Sequence, residues 1–417
     1  MNIIIANNFY CNDGGVETYI SSLGNLLKKF GHNVHFFVTD KTPYIDEKVK
    51  NSEFFPKYKD ISSLSLKDIP SFLLNPYYFY NKEAEKKMIN YIKKIKPDII
   101  HLNSISRYLS PSIINACKLN NIPTVMTIHD GFLACPDVAL LMKSEFYCKK
   151  APCKNGNILH CIKNKCNDKN LFKSCVSASE FLFRKIHKLY DKIDIFICPS
   201  QAIFDLALNA GIKKEKLRLI YNFIDDSILN IEAENTNEDY FLFVGRLVTV
   251  KGLNYLLQAM KELPDIKLKI VGTGPEENNL KTLAKQLNLC NVEFLGYKEG
   301  KELAENYKNC IATIIPSTYL EAFGLTVIES FAYGKPVIGS NIGGISETIQ
   351  NDINGKLFEV GNVTELTIAI RDMYDNQSKT EALGEKAKED VKKYASNLYY
   401  SGLERVYKEL MDMERIK

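Results

Sequence analysis

The chain has 417 residues, of which 45% are hydrophobic and 25% charged, with a net charge of +4. This length suits two domains better than a single core, and the composition excludes a disordered chain. No window reaches the roughly 18 consecutive apolar residues of a membrane span, and the start, MNIIIANNFYCNDGG, turns polar too early for a signal peptide. We therefore expect a cytoplasmic protein whose eleven cysteines stay reduced.

The first half of the chain alternates strands and helices. Residues 2–6 form an apolar strand, Gly14 and Gly15 open an amphipathic helix that Gly31 ends, and residues 34–38 form the next strand. Further strands are predicted at 97–101, 123–128, 194–199 and 217–221. A strand, a glycine turn, a helix and a strand make a βαβ unit, which predicts a parallel sheet.

The same alternation restarts after the polar, acidic segment 231–239. The predicted strands are 240–244, 266–271, 291–295, 311–315, 336–340 and 355–360. We therefore predict an α/β protein with two parallel-sheet domains, residues 1–228 and 229–395, and a cleft between them. An amphipathic helix follows in residues 396–417.

A stretch rich in cysteine and lysine, about residues 135–175, interrupts the first domain. It contains two cysteine pairs, each with four intervening residues, and a histidine that could substitute as a ligand: Cys148 with Cys153, Cys161 with Cys166, and His160. Four thiolates at short spacings can form a tetrahedral structural zinc site. Free thiols in an irregular insertion are the alternative, and both interpretations give a structural role.

The positive charge is concentrated in one segment. Residues 143–188 contain eleven Lys and Arg against three acids, a net charge of +8 that leaves −4 for the rest. Such a segment suits an anionic membrane surface or substrate, and a solvated insertion is the alternative. A nucleic-acid partner is not expected, because lysine dominates and no pattern supports base stacking.

Residues 41–90 carry many aromatic side chains. They include Phe54, Phe55, Phe72, Tyr77, Tyr78, Phe79 and Tyr80. A core of loops and short helices explains them, and a surface that contacts a membrane or an acceptor is the alternative.

The strand at 311–315 leads into PSTYLEAFGLTVIE, residues 316–329. A helix that begins near Gly324 would direct its free N–H groups towards the carboxyl edge of the sheet, where open α/β sheets bind ligands. Glu321 in the loop and Glu329 in the helix could then hold two parts of one polar ligand. The alternative is a pair of surface acids beside a helix start.

Three further features lie where predicted strands end. Arg246 and Lys251 could converge on one anion, although surface cations are the alternative. Gly14 and Gly15 open a helix whose N-terminus could receive a phosphate or a sugar hydroxyl, although Gly-Gly is also an ordinary turn. His129 could donate a hydrogen bond or handle a proton, and a capping or packing role is the alternative.

Together these features resemble the retaining glycosyltransferases of the GT-B fold, in particular the family four group. The resemblance covers essentially the whole chain. The motifs that carry it are DGGVE (13–17), TIHD (127–130), PS (199–200), GRL (245–247), KG (251–252), VGTGP (271–275) and EAFGLTVIE (321–329).

The resemblance implies two Rossmann-like domains that face a cleft, with the helix at 396–417 crossing back to the N-terminal domain. A nucleotide sugar would lie mostly on the second domain. Arg246 and Lys251 would neutralise its diphosphate, Glu329 would accept hydrogen bonds from the ribose, and Glu321 would contact the transferred sugar. The resemblance adds backbone or close-approach positions around the donor: Gly14, Gly15, Gly274, Phe323, Gly324, Leu325 and Thr326. His129 would contact the donor sugar at its 6-hydroxyl.

The resemblance also implies a reaction. The family transfers a sugar with retention at the anomeric carbon, by a same-face substitution that needs no enzymic nucleophile, metal or other catalytic cofactor. We expect a hexosyltransferase that uses a UDP-sugar in preference to a GDP-sugar. Its acceptor would be a glycan or a lipid-linked sugar of an envelope or capsule polysaccharide, at the inner face of the membrane. The alternatives are a sugar-nucleotide epimerase of the same fold and a two-lobed sugar-binding protein.

Overall fold

The computed structural model describes residues 1–10, 14–41, 52–58, 79–142, 146–148, 152–229 and 239–415. The chain forms two compact units. Unit 1 comprises Met1–Ile220 with Tyr400–Lys417, and unit 2 comprises Tyr221–Tyr399. The sequence places the domain boundaries at 228/229 and 395/396, a few residues from these divisions. Most of the acidic segment 231–239 lies outside the described residues.

Unit 1 is built on a six-stranded parallel sheet. Its strands are β1 (Asn2–Ala6), β2 (Asn33–Phe37), β3 (Ile99–Leu102), β4 (Thr124–Thr127), β7 (Ile195–Cys198) and β8 (Leu217–Leu219), in the order β2-β1-β3-β4-β7-β8. Between β4 and β7 the chain adds a small antiparallel pair, β5 (Leu141–Met142) and β6 (Phe146–Tyr147). β1 lies between β2 and β3, with Ile3 opposite both Val34 and Ile99. Its apolar residues are fully buried, as in a sheet that is covered on both faces.

Helices cover this sheet. They are α1 (Gly15–Lys29), α2 (Lys82–Ile95), α3 (Ser112–Leu119), α4 (Leu159–Lys163), α5 (Leu171–Ile186) and α6 (Gln201–Asn209). Ser200 caps α6 as the sequence predicts, because its Oγ accepts a hydrogen bond from the Ile203 N–H at 3.2 Å. Asn81 and Asn170 cap α2 and α5 in the same way.

The C-terminal helix (Ser396–Arg415) returns to unit 1, which confirms the predicted crossing. The Tyr400 ring stacks on Phe30 with ring centroids 3.7 Å apart. The Tyr407 hydroxyl lies 2.8 Å from Nδ1 of the buried His101, and Glu409 forms an ion pair with Arg218. Side chains of this helix therefore complete both the core and the polar interior of unit 1.

Unit 2 is also built on a six-stranded parallel sheet. Its strands are β9 (Tyr240–Val244), β10 (Lys267–Val271), β11 (Val292–Gly296), β12 (Thr313–Ile315), β13 (Val337–Ser340) and β14 (Gly355–Phe358), in the order β11-β10-β9-β12-β13-β14. Its helices are α7 (Asp226–Leu229), α8 (Leu253–Lys261), α9 (Glu277–Gln286), α10 (Gly300–Asn309), α11 (Leu325–Ala332), α12 (Gly343–Thr348), α13 (Val363–Asp375) and α14 (Gln377–Asp390). This strand order is that of a Rossmann fold, so the predicted fold class is confirmed.

The structure bears on membrane-spanning segments and on the aromatic residues of segment 41–90. Among the residues that the structure describes, no helix is both long enough and apolar enough to cross a bilayer. Phe55 is buried against Phe37, in keeping with a core role. Phe72, Tyr77 and Tyr78 lie outside the described residues.

Candidate functional site

The topology of unit 2 selects one edge of its sheet for ligands. The direction of chain progression reverses between β9 and β12, which are neighbours in the sheet. In open α/β sheets, ligands bind outside the carboxyl ends of the strands at such a point. The loop after β9 carries Arg246 and Lys251, and the loop after β12 carries Glu321. Three predicted site residues of the second domain, Arg246, Lys251 and Glu321, therefore lie on these two loops.

A close backbone approach joins the two loops. Gly252 has φ of +71°, and a Cβ at this position would lie 1.8 Å from the Pro316 carbonyl oxygen. The Thr318 N–H donates to the Val250 carbonyl at 2.8 Å. Only glycine combines this conformation with this spacing, so the Lys-Gly sequence sets where Lys251 meets the loop after β12.

Lys251 and Glu321 form the centre of the site. Lys251 Nζ lies 2.5 Å from Glu321 Oε1, which also accepts from the Ser317 hydroxyl at 2.8 Å. The Tyr319 hydroxyl donates to Oε2 at 2.8 Å. Burial by itself would raise the pKa of Glu321, but the Lys251 charge and these hydrogen bonds bring the pKa below its usual value. The carboxylate is therefore ionised at neutral pH, and about one of its roughly four acceptor positions remains for a ligand hydroxyl.

The N-terminus of α11 forms the next part of the site. Gly324 precedes the helix with φ of +89°, and the buried Phe323 ring packs edge-on against Tyr394 at 5.4 Å. The Gly344 N–H donates to the Glu321 carbonyl at 2.9 Å, which ties this loop to α12. Leu325 and Thr326 lie in the first turn, where an α-helix leaves its N–H groups without intrahelical partners, so these groups can bind an anion, whereas the Phe323 side chain belongs to the core.

Glu329 lies on the second turn of α11 and is half-buried. Its Oε2 accepts a hydrogen bond from Tyr307 at 2.9 Å, and the Tyr307 ring stacks on Tyr333 at 5.3 Å. Burial raises the pKa of Glu329, and the Tyr307 bond opposes that rise. Oε1 has no hydrogen bond to the part of the chain that the structure describes, so it can accept one from a ligand.

We expect Tyr307→Phe to lower the free energy of unfolding by roughly 1.5–3 kcal/mol, because it removes a hydrogen bond to a carboxylate. The pKa of Glu329 should rise further. Because a carboxylate with a raised folded pKa binds more protons when folded, the variant's stability should fall more steeply than wild type as pH rises. Urea unfolding from pH 5 to 8 measures this slope. Tyr333→Phe is the matched control, since its hydroxyl bonds only the Ile228 carbonyl among described residues. Equal slopes in all three proteins would contradict the prediction.

Arg246 differs from Lys251 in its surroundings. Its side chain is exposed, and no ion pair joins it to any described residue. Its guanidinium is thus available to an incoming anion. Gly274 lies nearby in the loop after β10, where a Cβ would come within 2.3 Å of the Leu247 carbonyl oxygen. A packing need therefore explains this glycine without a ligand.

The predicted residues of the first domain belong to unit 1, where Gly14 and Gly15 begin α1. Gly14 precedes the helix in extended conformation, and Gly15 is its first residue. A Cβ at Gly15 would meet no atom of the described residues within 4 Å. No described residue therefore fills the space next to Gly15 that a closely bound ligand would need.

His129 follows β4 at the carboxyl edge of the unit 1 sheet. Its Nε2 lies 2.9 Å from Asn103 Oδ1, and its ring meets the Tyr19 ring edge-on at 4.8 Å. Burial lowers the pKa of His129 to about 3, so the imidazole is neutral at physiological pH. Asn103 already occupies the Nε2 position of His129. This nitrogen therefore cannot donate a hydrogen bond to a ligand, which is one of the roles that the sequence allows.

Three of the four predicted zinc ligands lie together, and the fourth lies beside the histidine. Cys153, Cys161 and Cys166 pack together as a small buried cluster, while Cys148 Sγ lies 3.8 Å from His160 Nε2. Within the described ranges, no group of three or more His, Cys, Asp or Glu has an arrangement that could hold a metal ion. The arrangement that the structure supports is the alternative one, in which buried thiols pack the insertion. Short cysteine spacings alone do not fix where helix α4 directs its side chains.

Sequence reasoning missed the side chains that support the charged residues. Ser317, Tyr319, Tyr307 and Asn103 each bond directly to a predicted site residue. For Ser317 and Tyr319 a signal existed, since both lie within the motif that contains Glu321. Asn103 had a weaker one, because it follows a predicted strand as His129 does. Nothing in the sequence pointed to Tyr307.

Family models cover nearly all of the chain. Residues 13–228 match the family described as Glycosyltransferase Family 4, and residues 225–390 match the one described as Glycosyl transferases group 1. The two matches correspond closely to the two sheets.

Three proteins illustrate the likeness. An uncharacterized glycosyltransferase of Methanocaldococcus jannaschii is 26% identical over 99% of both chains. The N-acetyl-alpha-D-glucosaminyl L-malate synthase of Bacillus anthracis is 24% identical over 99% of this chain and 98% of its own. The crystal structure of Anabaena HepE in complex with UDP has a TM-score of 0.69 at 17% identity, covering 98% of this chain and 100% of that one.

Proposed function

The chain belongs to the group 1 glycosyltransferases of the GT-B fold, and from that premise we propose that it transfers a sugar, with retention, from a nucleotide-sugar donor. The acceptor is a glycan or a lipid-linked sugar, and the reaction serves envelope or capsule polysaccharide synthesis. The observation that carries the proposal is the Lys251–Glu321 pair at the switch point of unit 2, with the exposed Arg246 on the same loop as Lys251. That arrangement joins two cations for a diphosphate to a carboxylate for sugar hydroxyls.

Each residue of unit 2 then has one task. Arg246, Lys251 and the N–H groups that begin α11 bind the diphosphate, which gains negative charge as it leaves. Glu329 accepts from the ribose through Oε1, and Glu321 accepts from a hydroxyl of the transferred sugar. Ser317 and Tyr319 keep the Glu321 carboxylate in place.

In unit 1, Gly14 and Gly15 leave room for the donor beside α1, and His129 contacts the transferred sugar. The bond between the anomeric carbon and the phosphate oxygen breaks while the acceptor oxygen bonds to that carbon on the same face. The departing phosphate oxygen takes the acceptor's proton. No carboxylate is assigned as a base, because the departing phosphate oxygen takes the proton and the lowered pKa of Glu321 makes this carboxylate a weak proton acceptor.

We infer that the donor is a UDP-sugar. The support is that Anabaena HepE was crystallised with UDP and with UDP-glucose. A panel of UDP- and GDP-sugars, followed by thermal unfolding, tests this choice, since a ligand that binds the native state raises the midpoint. UDP-sugars should raise it and GDP-sugars should not. Proton NMR of the product should show the donor's anomeric configuration retained.

Two outcomes would replace the proposal. Epimerisation of a UDP-sugar with no transfer to any acceptor would make the chain an epimerase. Tight binding of free sugars without response to any nucleotide would make it a sugar-binding protein.

A face of unit 1 suits an anionic membrane, and we propose that the lipid-linked acceptor is met there. Leu171, Leu182 and Ile186 lie on one side of α5 with 52%, 37% and 66% of their surface exposed, and Leu159 of α4 is 71% exposed. Lys163, Lys165 and Lys188 are exposed in the same segment. Apolar side chains flanked by lysines are typical of helices that lie in a membrane interface.

We expect Ile186→Glu to reduce binding to vesicles that contain anionic lipid at least severalfold, because it puts a carboxylate where an apolar side chain would enter the bilayer. Flotation of vesicles with and without phosphatidylglycerol measures the bound fraction. The matched control is Ile368→Glu, which changes a residue 62% exposed on α13 of unit 2. Equal binding of both variants and wild type would contradict the membrane proposal. Donor transfer to a water-soluble acceptor should be unchanged in both.

A further inference from the structure

His129 has one ring nitrogen committed to a neighbour. Its Nε2 lies 2.9 Å from Asn103 Oδ1, and Asn103 and His129 follow the adjacent strands β3 and β4. An amide oxygen only accepts hydrogen bonds. The imidazole must therefore carry its proton on Nε2, provided that the oxygen and not the amide nitrogen of Asn103 faces it.

The backbone decides which way the Asn103 amide points. Its Nδ2 lies 3.4 Å from the Ala6 carbonyl oxygen and 3.5 Å from that of His101. Turning the amide over would bring Oδ1 against these two carbonyl oxygens, which repel it, and would remove both hydrogen bonds that Nδ2 donates to the backbone. The fully buried Asn103 is thus held with its oxygen towards His129.

The neutral imidazole then offers a lone pair on its other nitrogen. Nδ1 has no hydrogen bond to any of the described residues, and His129 lines a cavity of about 10 Å³ with Asn103, Ser104, Thr127 and Asp130. The ring of Tyr19 supports the imidazole on one side, with its own hydroxyl 3.2 Å from Thr127 Oγ1. The tautomer and the orientation of the ring are both set before any ligand binds.

We propose that Asn103 is a positioning residue that fixes His129 in the Nε2–H tautomer, so that Nδ1 accepts a hydrogen bond from a hydroxyl of the transferred sugar. This inference rests on the proposed function. It makes His129 a hydrogen-bond acceptor. It also implies that the nucleotide sugar carries a hydroxyl at the position that contacts His129.

A hydrogen bond accepted by His129 would set a preference among donor sugars. A sugar whose hydroxymethyl group is oxidised to a carboxylate would place negative charge against a lone pair, and a deoxy sugar would leave Nδ1 unpaired. Sites that are built to bond a substrate hydroxyl discriminate strongly against analogues that lack it. A donor such as UDP-glucose should therefore be preferred to UDP-glucuronate, whereas a donating His129 would favour the uronate.

The tautomer can be observed without any substrate. In the full chain labelled with ¹⁵N histidine, the signals that vanish in His129→Gln should be those of a neutral imidazole with a protonated Nε2. In Asn103→Ala the same signals should shift towards a mixture of tautomers. A protonated Nδ1 in the wild type would overturn the inference, as would unchanged signals in the variant. The wild-type spectrum decides the tautomer even if the variant does not fold.

A kinetic test then examines the role. With a UDP-hexose that the donor panel identifies, Asn103→Ala should lower kcat at least tenfold while the Kd for UDP stays within twofold. With the matching 6-deoxy donor, wild type and variant should be equally slow, because the bond that Asn103 supports is missing. A loss of the same size on both donors would show a merely structural role and overturn the inference. If no nucleotide sugar is transferred, the proposed function fails, and the tautomer stands or falls on the spectra alone.

Discussion

Lys251→Met is expected to reduce transfer about a thousandfold, which is the upper range for removing one group that stabilises developing charge. It is also expected to destabilise unit 2. Lys251 is paired with Glu321, whose side chain is only 10% exposed, so the substitution strands a carboxylate in a buried position. Breaking such a pair costs about 3 kcal/mol, the lower end for buried pairs, since Lys251 keeps contact with solvent.

The pH dependence of unfolding provides the sharpest test of this pair. In the wild type the folded-state pKa of Glu321 is held below 4.5, so its stabilisation is complete above that pH and lost as pH falls through the folded value. Without Lys251, burial should raise the folded pKa above 4.5, and the contribution should change sign. The difference in unfolding free energy between wild type and variant should therefore grow from pH 4 to pH 7.

The double variant Lys251→Met with Glu321→Gln separates stability from activity. Glutamine can accept from one of the Ser317 and Tyr319 hydroxyls and donate to the other without leaving a charge, so most of the lost stability should return. Transfer should remain abolished, because neither the phosphate contact nor the charged acceptor is restored. Additive destabilisation by the two substitutions, or near-normal transfer in either single variant, would contradict the site.

Arg246→Ala is expected to reduce transfer about a hundredfold or more with no change in stability. The side chain is exposed and has no ion-pair partner in the described chain, so its removal strands no charge. Because Glu321 offsets the charge of Lys251, Arg246 supplies a positive charge that no carboxylate of the described residues pairs with. The loss should appear in kcat/KM for the donor and in the Kd of the nucleoside diphosphate.

Arg246→Lys is the matched control for geometry. It keeps the charge and loses the fork of donors that suits a phosphate, so we expect an intermediate loss of about tenfold. Arg405→Ala, on an exposed position of the C-terminal helix, controls for the removal of a surface arginine. Full activity in Arg246→Ala would remove this residue from the donor site.

The fold follows from the sequence because its signals are local. Apolar strands such as 2–6 and 240–244, glycine turns and amphipathic helices each occupy a short window, and parallel pairing follows from the alternation. The motif after β12 could be placed for the same reason, since Gly324 starts α11 and sets Glu321 before it and Glu329 within it.

The remainder of the site depends on contacts between distant residues. Tyr307 reaches Glu329 from α10, and Asn103 reaches His129 from the neighbouring strand, so no spacing in the chain announces either bond. The predicted zinc site has a related limit, because regular spacing does not determine how side chains converge. The close approach of the two loops is visible in the sequence as Gly252. Its cause, the Pro316 carbonyl, is visible only in the structure.

The return of the C-terminal helix has a consequence for biosynthesis. Residues 221–399 are translated between the last strand of unit 1 and the segment from Tyr400 that completes it. Until that segment leaves the ribosome, the buried His101 lacks the Tyr407 hydroxyl and Phe30 lacks its stacking partner. Unit 2 can therefore complete its fold before unit 1 has received its C-terminal helix. Unit 1, whose sheet is synthesised first, is thus the unit that completes its fold last.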